Sequence, residues 1–288
     1  MAALVAHRSH RSHRRHAGAT IRYIFLIIAA LLTLVPFAYM FVTAVTPSDE
    51  TSHIPMYWIP PHATLDNFKY LFLQANIPLI QWLINSLFVA TATTLVVLLV
   101  DALAAYGFAR LEMPGRDLIF GFILLSLLVP VAVTLIPIFL LMRDLHFLNT
   151  YNALVWPAAA SAFGVFLLRQ FFQTIPRELE EAAHIDGASR LRVFWSVDLP
   201  MVTNALITLA LLTWLTSWND FFWPLIALNN NAMYTAPVAI TYLNSTFTQQ
   251  PGVLLAAAAT IAMPPLLFYI IFQRRIQKAV MTTGLAGR

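Results

Sequence analysis

The chain has 288 residues, of which 59% are hydrophobic and only 10% charged. Its mean hydropathy of +0.73 lies far above that of a soluble globular domain, so membrane embedding is the first expectation. It has no cysteine, which excludes disulfides, thiolate metal sites and cysteine nucleophiles.

Charge-free windows set out the plan. A membrane-crossing helix needs about 20 mostly apolar residues. The windows Tyr23 to Ser48, Tyr70 to Val100, Leu118 to Met142, Leu145 to Leu168 and Leu199 to Asn219 carry no charge, and a final run, Phe221 to Gln273, is broken by the polar stretches "NNNAMYTAP" and "NSTFTQQPG". This predicts an all-α membrane protein with six helices, at about 22–46, 80–106, 118–142, 151–173, 201–227 and 253–274. Residues 1–21 then form a basic tail, 22–277 the transmembrane domain and 278–288 a C-terminal tail.

The tail opens with "HRSHRSHRRH", placing His7, His10, His13 and His16 at every third position. That spacing admits a metal site, but the plainer reading is a disordered basic segment on anionic headgroups. The apolar run behind it is too long for a signal peptide. With the N-terminus inside, fifteen of the 17 lysines and arginines face the cytoplasm and only Lys69 and Arg143 do not. The positive-inside rule therefore puts both termini on the cytoplasmic side.

Between the first two helices, "TLDNFKYLF" is expected to form a short amphipathic helix capped by Thr64. The third helix carries Pro130 and Pro137 and should be kinked. The sixth holds "AAAAT" and Pro264–Pro265, small residues that let helices approach closely. Asp101, late in the second helix, should pair with Arg110 or another helix and be structural.

The cassette "TIPRELEEAAHIDGASRLRVFWSVDLP", residues 174–200, is polar in an otherwise apolar chain. Thr174 is expected as N-cap with Pro176 in the first turn. Glu178, Glu180 and Glu181 suit the positive end of the helix dipole. Leu179, Ala182 and Ala183 make one low apolar face. Gly187 can end the helix in the left-handed region, and Ser189 can cap a second short helix. A plain connector between spans needs neither the small-residue face nor the glycine turn. A docking surface explains both.

Glu181-Ala182-Ala183, three residues, Gly187, nine residues, then Val197, one residue and Leu199-Pro200 resembles the EAA loop of ABC-importer permeases, with valine in place of isoleucine at 197. "NSLFVA", "AAYGFARLEMPGRD", "TSWNDFFWPLI" and "TTGLAGR" extend the resemblance over the chain, toward the smaller second permease of maltose-type carbohydrate importers. The resemblance implies a type I ABC-importer permease fold, half of a translocation path in a bacterial or archaeal cytoplasmic membrane. It implies four further partners besides membrane lipid: a second permease, two cytoplasmic ATPase subunits and an extracytoplasmic binding protein. ATP and Mg would be bound by the ATPase partners, and no cofactor is expected here. Loop 174–200 would be the coupling helix, with Glu181, Ala182, Ala183, Asp186, Gly187, Leu199 and Pro200 as coupling residues. The chain lacks a "GxxxxGK[ST]" phosphate loop, so no ATP site of its own is expected.

For cargo, the resemblance implies a disaccharide or oligosaccharide of maltose or trehalose type. Asn85, Trp218, Asn219, Asp220 and Trp223 are the candidates for lining the path, since sugars are held by aromatic faces and by amide or carboxylate hydrogen bonds; capping or bridging helices is the other reading of Asn85. An interfacial aromatic belt with a helix-end acid is the competing reading of "SWNDFFW", and the favoured one. No carboxylate pair or Ser–His–Asp set stands out, which argues against a membrane enzyme. A channel would not need a docking cassette. A glycerol-phosphate ester remains the alternative cargo, although basic residues are almost absent from the spans. Nucleic acid and metal are not expected as ligands.

Overall fold

A computed structural model describes the backbone of residues 2–51 and 57–285, and the side chains of residues 22–51 and 57–273. All regular structure among these is helical. Three helical stretches are long and apolar enough to cross a membrane unaided, and three bent pairs complete six spans.

The contacts divide the chain into two compact units. The first comprises Met1–Ile77 with Leu243–Thr260. Here α1 runs Ala2–Val45. It begins well before the expected residue 22, because nothing in the basic segment breaks a helix. The side chains of His7, His10, His13 and His16 lie outside the described residues. α2 (Asp66–Lys69) runs directly into a π-turn, Tyr70–Gln74. The N-cap is Leu65 rather than the expected Thr64, which stands one residue earlier and whose Oγ1 accepts from the Asp66 amide at 3.1 Å. Asn67 is the clamp of this unit. It is buried, its Nδ2 donates to the carbonyls of Ala44 (3.0 Å) and Thr46 (2.7 Å), and its Oδ1 accepts from Ser48 Oγ at 2.7 Å. These bonds use carbonyls that the end of α1 leaves without helical partners. A Cβ at position 252 would come within 2.7 Å of Asn67 Nδ2, which accounts for Gly252.

The second unit comprises Pro78–Tyr242 with Ile261–Arg288. Its axis is α3, Leu79–Arg110, an unbroken helix of 32 residues. α4 (Arg116–Ser126) and α5 (Val131–Asp144) meet at 101°. The single kinked helix expected at 118–142 is thus two. Pro130 stands at the break in extended conformation (ψ 136°), where its missing N–H cannot continue the ladder, whereas Pro137 sits inside α5 without ending it. α6 (Asn152–Val155), a 3₁₀ turn (Trp156–Ala158) and α7 (Ala162–Gln173) form the fourth span, bent by 45°.

α8 (Arg177–Ile185), α9 (Arg190–Val193), a π-turn (Phe194–Asp198) and α10 (Leu199–Met201) carry the cassette. The chain then turns by 78° into α11, Thr203–Trp218. The expected 201–227 helix ends at Trp218 and resumes as α12 (Phe222–Ala227). α13 (Ala236–Thr246) was not anticipated. It occupies the short apolar interval between two polar breaks, too short to read as a span. α14 (Pro251–Leu285) holds Pro264 and Pro265 without interruption and passes the expected helix end at 274.

The core of this unit is α3 packed against α7 and α11. Alanines 102, 105 and 109 bring the α3 backbone close to Val165, Leu168 and Phe172 of α7 and to Leu209 of α11. Without a hydrophobic drive between helices in lipid, such small-residue contact supplies the packing. Gly164 belongs to the same logic. A Cβ there would fall on Asp101 Oδ2 and within 3.0 Å of Leu209 Cδ2.

Candidate functional site

The cassette forms the helix, glycine turn and helix that its residues imply. α8 starts at Arg177 rather than near Thr174. Thr174 is instead the last residue of α7's end, its hydroxyl donating to Phe171 O at 2.8 Å, and Pro176 is the N-cap (ψ 132°). Proline forces Ile175 out of helical conformation, so the new helix begins only after it. At the far end Gly187 takes φ +81°. The Ala188 amide donates to Ala183 O (2.9 Å) and the Gly187 amide to His184 O (3.0 Å), the paired bonds of a Schellman ending. His184 Nδ1 adds a bond to Ala188 O at 2.9 Å. Ser189 Oγ then accepts from the Arg192 amide and caps α9.

No residue of α8 is buried. Glu181, Ala182 and Asp186 are exposed, Ala183 is half-buried, and the apolar Leu179, Ile185 and Leu191 stand in the open, Ile185 at 87%. Phe194 and Asp198 turn inward, while Leu199 is half-buried and Pro200 exposed. Glu181, Ala182, Ala183, Asp186 and Gly187 thus lie on α8 or at its end, whereas Leu199 and Pro200 lie apart from them in α10.

A charged tie, not anticipated from the sequence, binds that element to the spans. Arg110, at the end of α3, places Nε 2.7 Å from Glu180 Oε1, with side chains only 5% and 15% exposed. Arg110 Nη2 also donates to Ile175 O at 2.6 Å. Arg110 is therefore not the partner of Asp101, which lies nine residues earlier on the same helix. Asp198 is fully buried beside this pair. Burial, and then the charge of Glu180, push its carboxyl up from 3.8 to about 6, against the pull of Arg110. The rings of Tyr106, Phe172 and Phe194 pack around one another at centroid distances of 5.0–6.3 Å and exclude water on the same side. The only hints in the sequence were a lone acid within "VFWSVDLP" and an arginine ending an apolar helix.

Asp198 is expected to make stability pH-dependent. A raised folded value means that the folded chain keeps a proton the unfolded chain releases, so its contribution is greatest below 3.8 and is lost as pH rises through about 6. Asp198→Asn is expected to flatten this slope. Thermal unfolding of wild type and variant in detergent, across roughly pH 4 to 7, is the check.

The path candidates separate. Asn85 is 1% exposed and saturated: Nδ2 donates to Ala232 O and Tyr234 O at 2.9 Å, and Oδ1 accepts from Gln81 Nε2 (2.7 Å) and Tyr151 Oη (2.8 Å). It is a bridge, with no bonding capacity left for a cargo. Trp218 is buried, stacked on Trp214 at 5.2 Å, and Trp214 in turn stacks on Phe268 at 4.1 Å. Asn219 donates to Leu215 O at 2.8 Å and closes α11. Trp223 Nε1 donates to Ala153 O at 2.7 Å. Asp220 alone lines a cavity, of about 350 Å³, walled by α3, the fourth span and α11. Asp101 is structural, as expected, but toward α7: it is fully buried and its Oδ1 accepts from the Ser161 amide at 2.9 Å. Among the described residues, no group of histidines and carboxylates could hold a metal.

Comparison with known proteins follows the same lines. Residues 102–282 match the family model described as "binding-protein-dependent transport system inner membrane component". An arabinooligosaccharides transport system permease protein of Halalkalibacterium halodurans is 31% identical over 260 residues, covering 90% of this chain and 93% of that protein. A lactose transport system permease protein of Rhizobium radiobacter is 31% identical, covering 91% and 94%. An sn-glycerol-3-phosphate transport system permease protein of Yersinia pestis is 35% identical, covering 88% and 92%. In fold, the chain is similar to one from a bacterial ABC transporter involved in the import of the acidic polysaccharide alginate, with a TM-score of 0.80 at 23% identity over 89% of this chain and 95% of that one.

Proposed function

The chain belongs to the family of binding-protein-dependent transport system inner membrane components, and from that premise we propose that it is a permease subunit of an ATP-driven sugar importer, coupled to its ATPase through loop 174–200. The observation that carries this reading is the projecting helix and glycine turn. It presents the EAA residues outward while Arg110 and Glu180 anchor it to α3. Glu181 is exposed and free to make charge-assisted bonds in a partner's groove.

The arrangement proposed around it is a second permease, two cytoplasmic ATPases that bind ATP and Mg, and an external binding protein. A bacterial crystal structure similar in fold, with TM-score 0.60, holds a periplasmic protein bound to an alginate pentasaccharide. The arabinooligosaccharide, lactose and glycerol-phosphate relatives support a cargo of the sugar or polyol-phosphate class. Both termini and the loop are proposed to face the cytoplasm, from the lysine and arginine count.

The test is Glu181→Lys in the intact importer reconstituted in vesicles. The variant should insert and assemble, hydrolyse ATP, and lose roughly 5- to 150-fold of coupled uptake, the range of ordinary site-to-site coupling. Wild-type uptake in this variant would remove the coupling role.

A further inference from the structure

The relatives divide between neutral sugars and a phosphate ester, and the cavity beside Asp220 bears on that division. Its polar lining consists of hydroxyls, from Thr93, Ser161, Thr213, Thr216 and Ser217, together with the Asp220 carboxyl. Phe163 supplies an aromatic wall, and no lysine, arginine or histidine contributes. Thr93 is 2% exposed, and its Oγ1 has no hydrogen-bond partner among the described residues. A buried hydroxyl without a partner is costly unless something that enters the cavity satisfies it.

One feature of such a cavity could attract an anion. α7 begins at the break in the fourth span, and its first residues edge the cavity. The N-terminus of a broken membrane helix offers unpaired amides and the positive end of a dipole, which transporters use to hold anionic cargo. Here that position is taken. The Asp101 carboxyl accepts from the Ser161 amide at 2.9 Å, and Ser161 Oγ accepts from the Gly164 amide at 3.1 Å. Gly164 leaves room for the carboxyl, since a side chain there would displace it. The chain supplies its own anion where a phosphate would otherwise bind, and Asp220 sets a second acid on the lining. An entering phosphate or carboxylate would meet acids and no cation, in a low dielectric where the repulsion is strong.

We infer that this cavity is a cargo subsite belonging to this chain, and that it accepts uncharged polyhydroxylated cargo and rejects phosphorylated or carboxylated cargo. A sugar ring satisfies each element: its hydroxyls bond Thr93, Thr213, Thr216 and Ser217, donate to Asp220, and its apolar face lies on Phe163. The inference rests on the importer reading.

The experiment uses the complete importer purified with this chain, in vesicles loaded with ATP. Accumulation of maltose, trehalose, lactose and sn-glycerol-3-phosphate is measured alongside ATP hydrolysis, for wild type, Thr93→Val and Asp220→Asn. Valine keeps the threonine shape, and asparagine keeps an acceptor for the Trp223 amide, so neither change should disturb the fold. The expected result is accumulation of a neutral probe, no accumulation of the phosphate ester, and a roughly 2- to 10-fold rise in uptake KM in each variant with maximal ATP hydrolysis retained. Accumulation of the phosphate ester, or wild-type KM in both variants, overturns the subsite while leaving the importer intact. ATP-independent behaviour, with none of the four probes accumulated, overturns the importer reading and the subsite with it.

Discussion

Gly187→Pro is expected to abolish coupled uptake while leaving the chain in the membrane. The residue sits at φ +81°, and proline is locked near −65°. The substitution also deletes the amide that donates to His184 O at 3.0 Å, and so unmakes the Schellman ending. The helix before the turn and the helix after it would then separate at a new angle. No span is touched, so insertion should survive. A graded series sharpens the result. Gly187→Asn tolerates the left-handed region and should be mild, whereas Gly187→Ala pays about 1–2 kcal/mol for it and should be intermediate. Uptake and ATP hydrolysis measured together in vesicles check the order. Equal activity across the four residues would mean that the turn angle is irrelevant to transport.

The second large effect is on stability. Arg110→Met removes a guanidinium whose side chain is 5% exposed and strands the Glu180 carboxylate, the neighbouring Asp198 and the Ile175 carbonyl. Breaking one side of a buried ion pair costs about 3–5 kcal/mol, chiefly through the charge left behind. Denaturant unfolding in detergent should show a loss of that size for Arg110→Met, and a clearly smaller one for the double variant Arg110→Met with Glu180→Met. That non-additivity is the signature of a direct pair. Equal losses in the single and double variants would show that the two groups do not depend on each other.

The six spans were legible because the bilayer tolerates few charges, and unbroken apolar windows follow directly from that. The left-handed glycine and the cap at Ser189 were legible because both are local. The breaks were harder. Pro130 opens α5 as its N-cap, past the end of α4, while Pro137 sits inside α5 without breaking it, and the residue type alone does not tell the two apart. α13 was hidden by its length. The tie from Arg110 to Glu180 spans 70 positions in sequence, and three glutamates crowded near one helix start look equally solvated until the fold chooses one. Asn85 was open to two readings. A lone amide in a span can meet cargo or bridge helices, and the four bonds to its neighbours make it a bridge. Asp220 stands out in the sequence as a lone acid near a helix end, but the hydroxyls beside it are ordinary threonines and serines until three helices gather them.

The unbroken length of α3 has a mechanical meaning. Its 32 residues make a stiff rod of about 48 Å. Near one end Trp82 and Asn85 are fastened to the 231–234 segment, midway Thr93 borders the cavity, and at the other end Arg110 grips the projecting helix. A rod fastened near both ends transmits displacement without absorbing it. The give must lie in the joints around it: the corner at Pro130, the bend before α7, the 78° turn at Val202 and the gap at Asn219–Asp220. Three of those four joints adjoin elements that wall the cavity, so a push delivered at the cassette would be spent on reshaping that chamber.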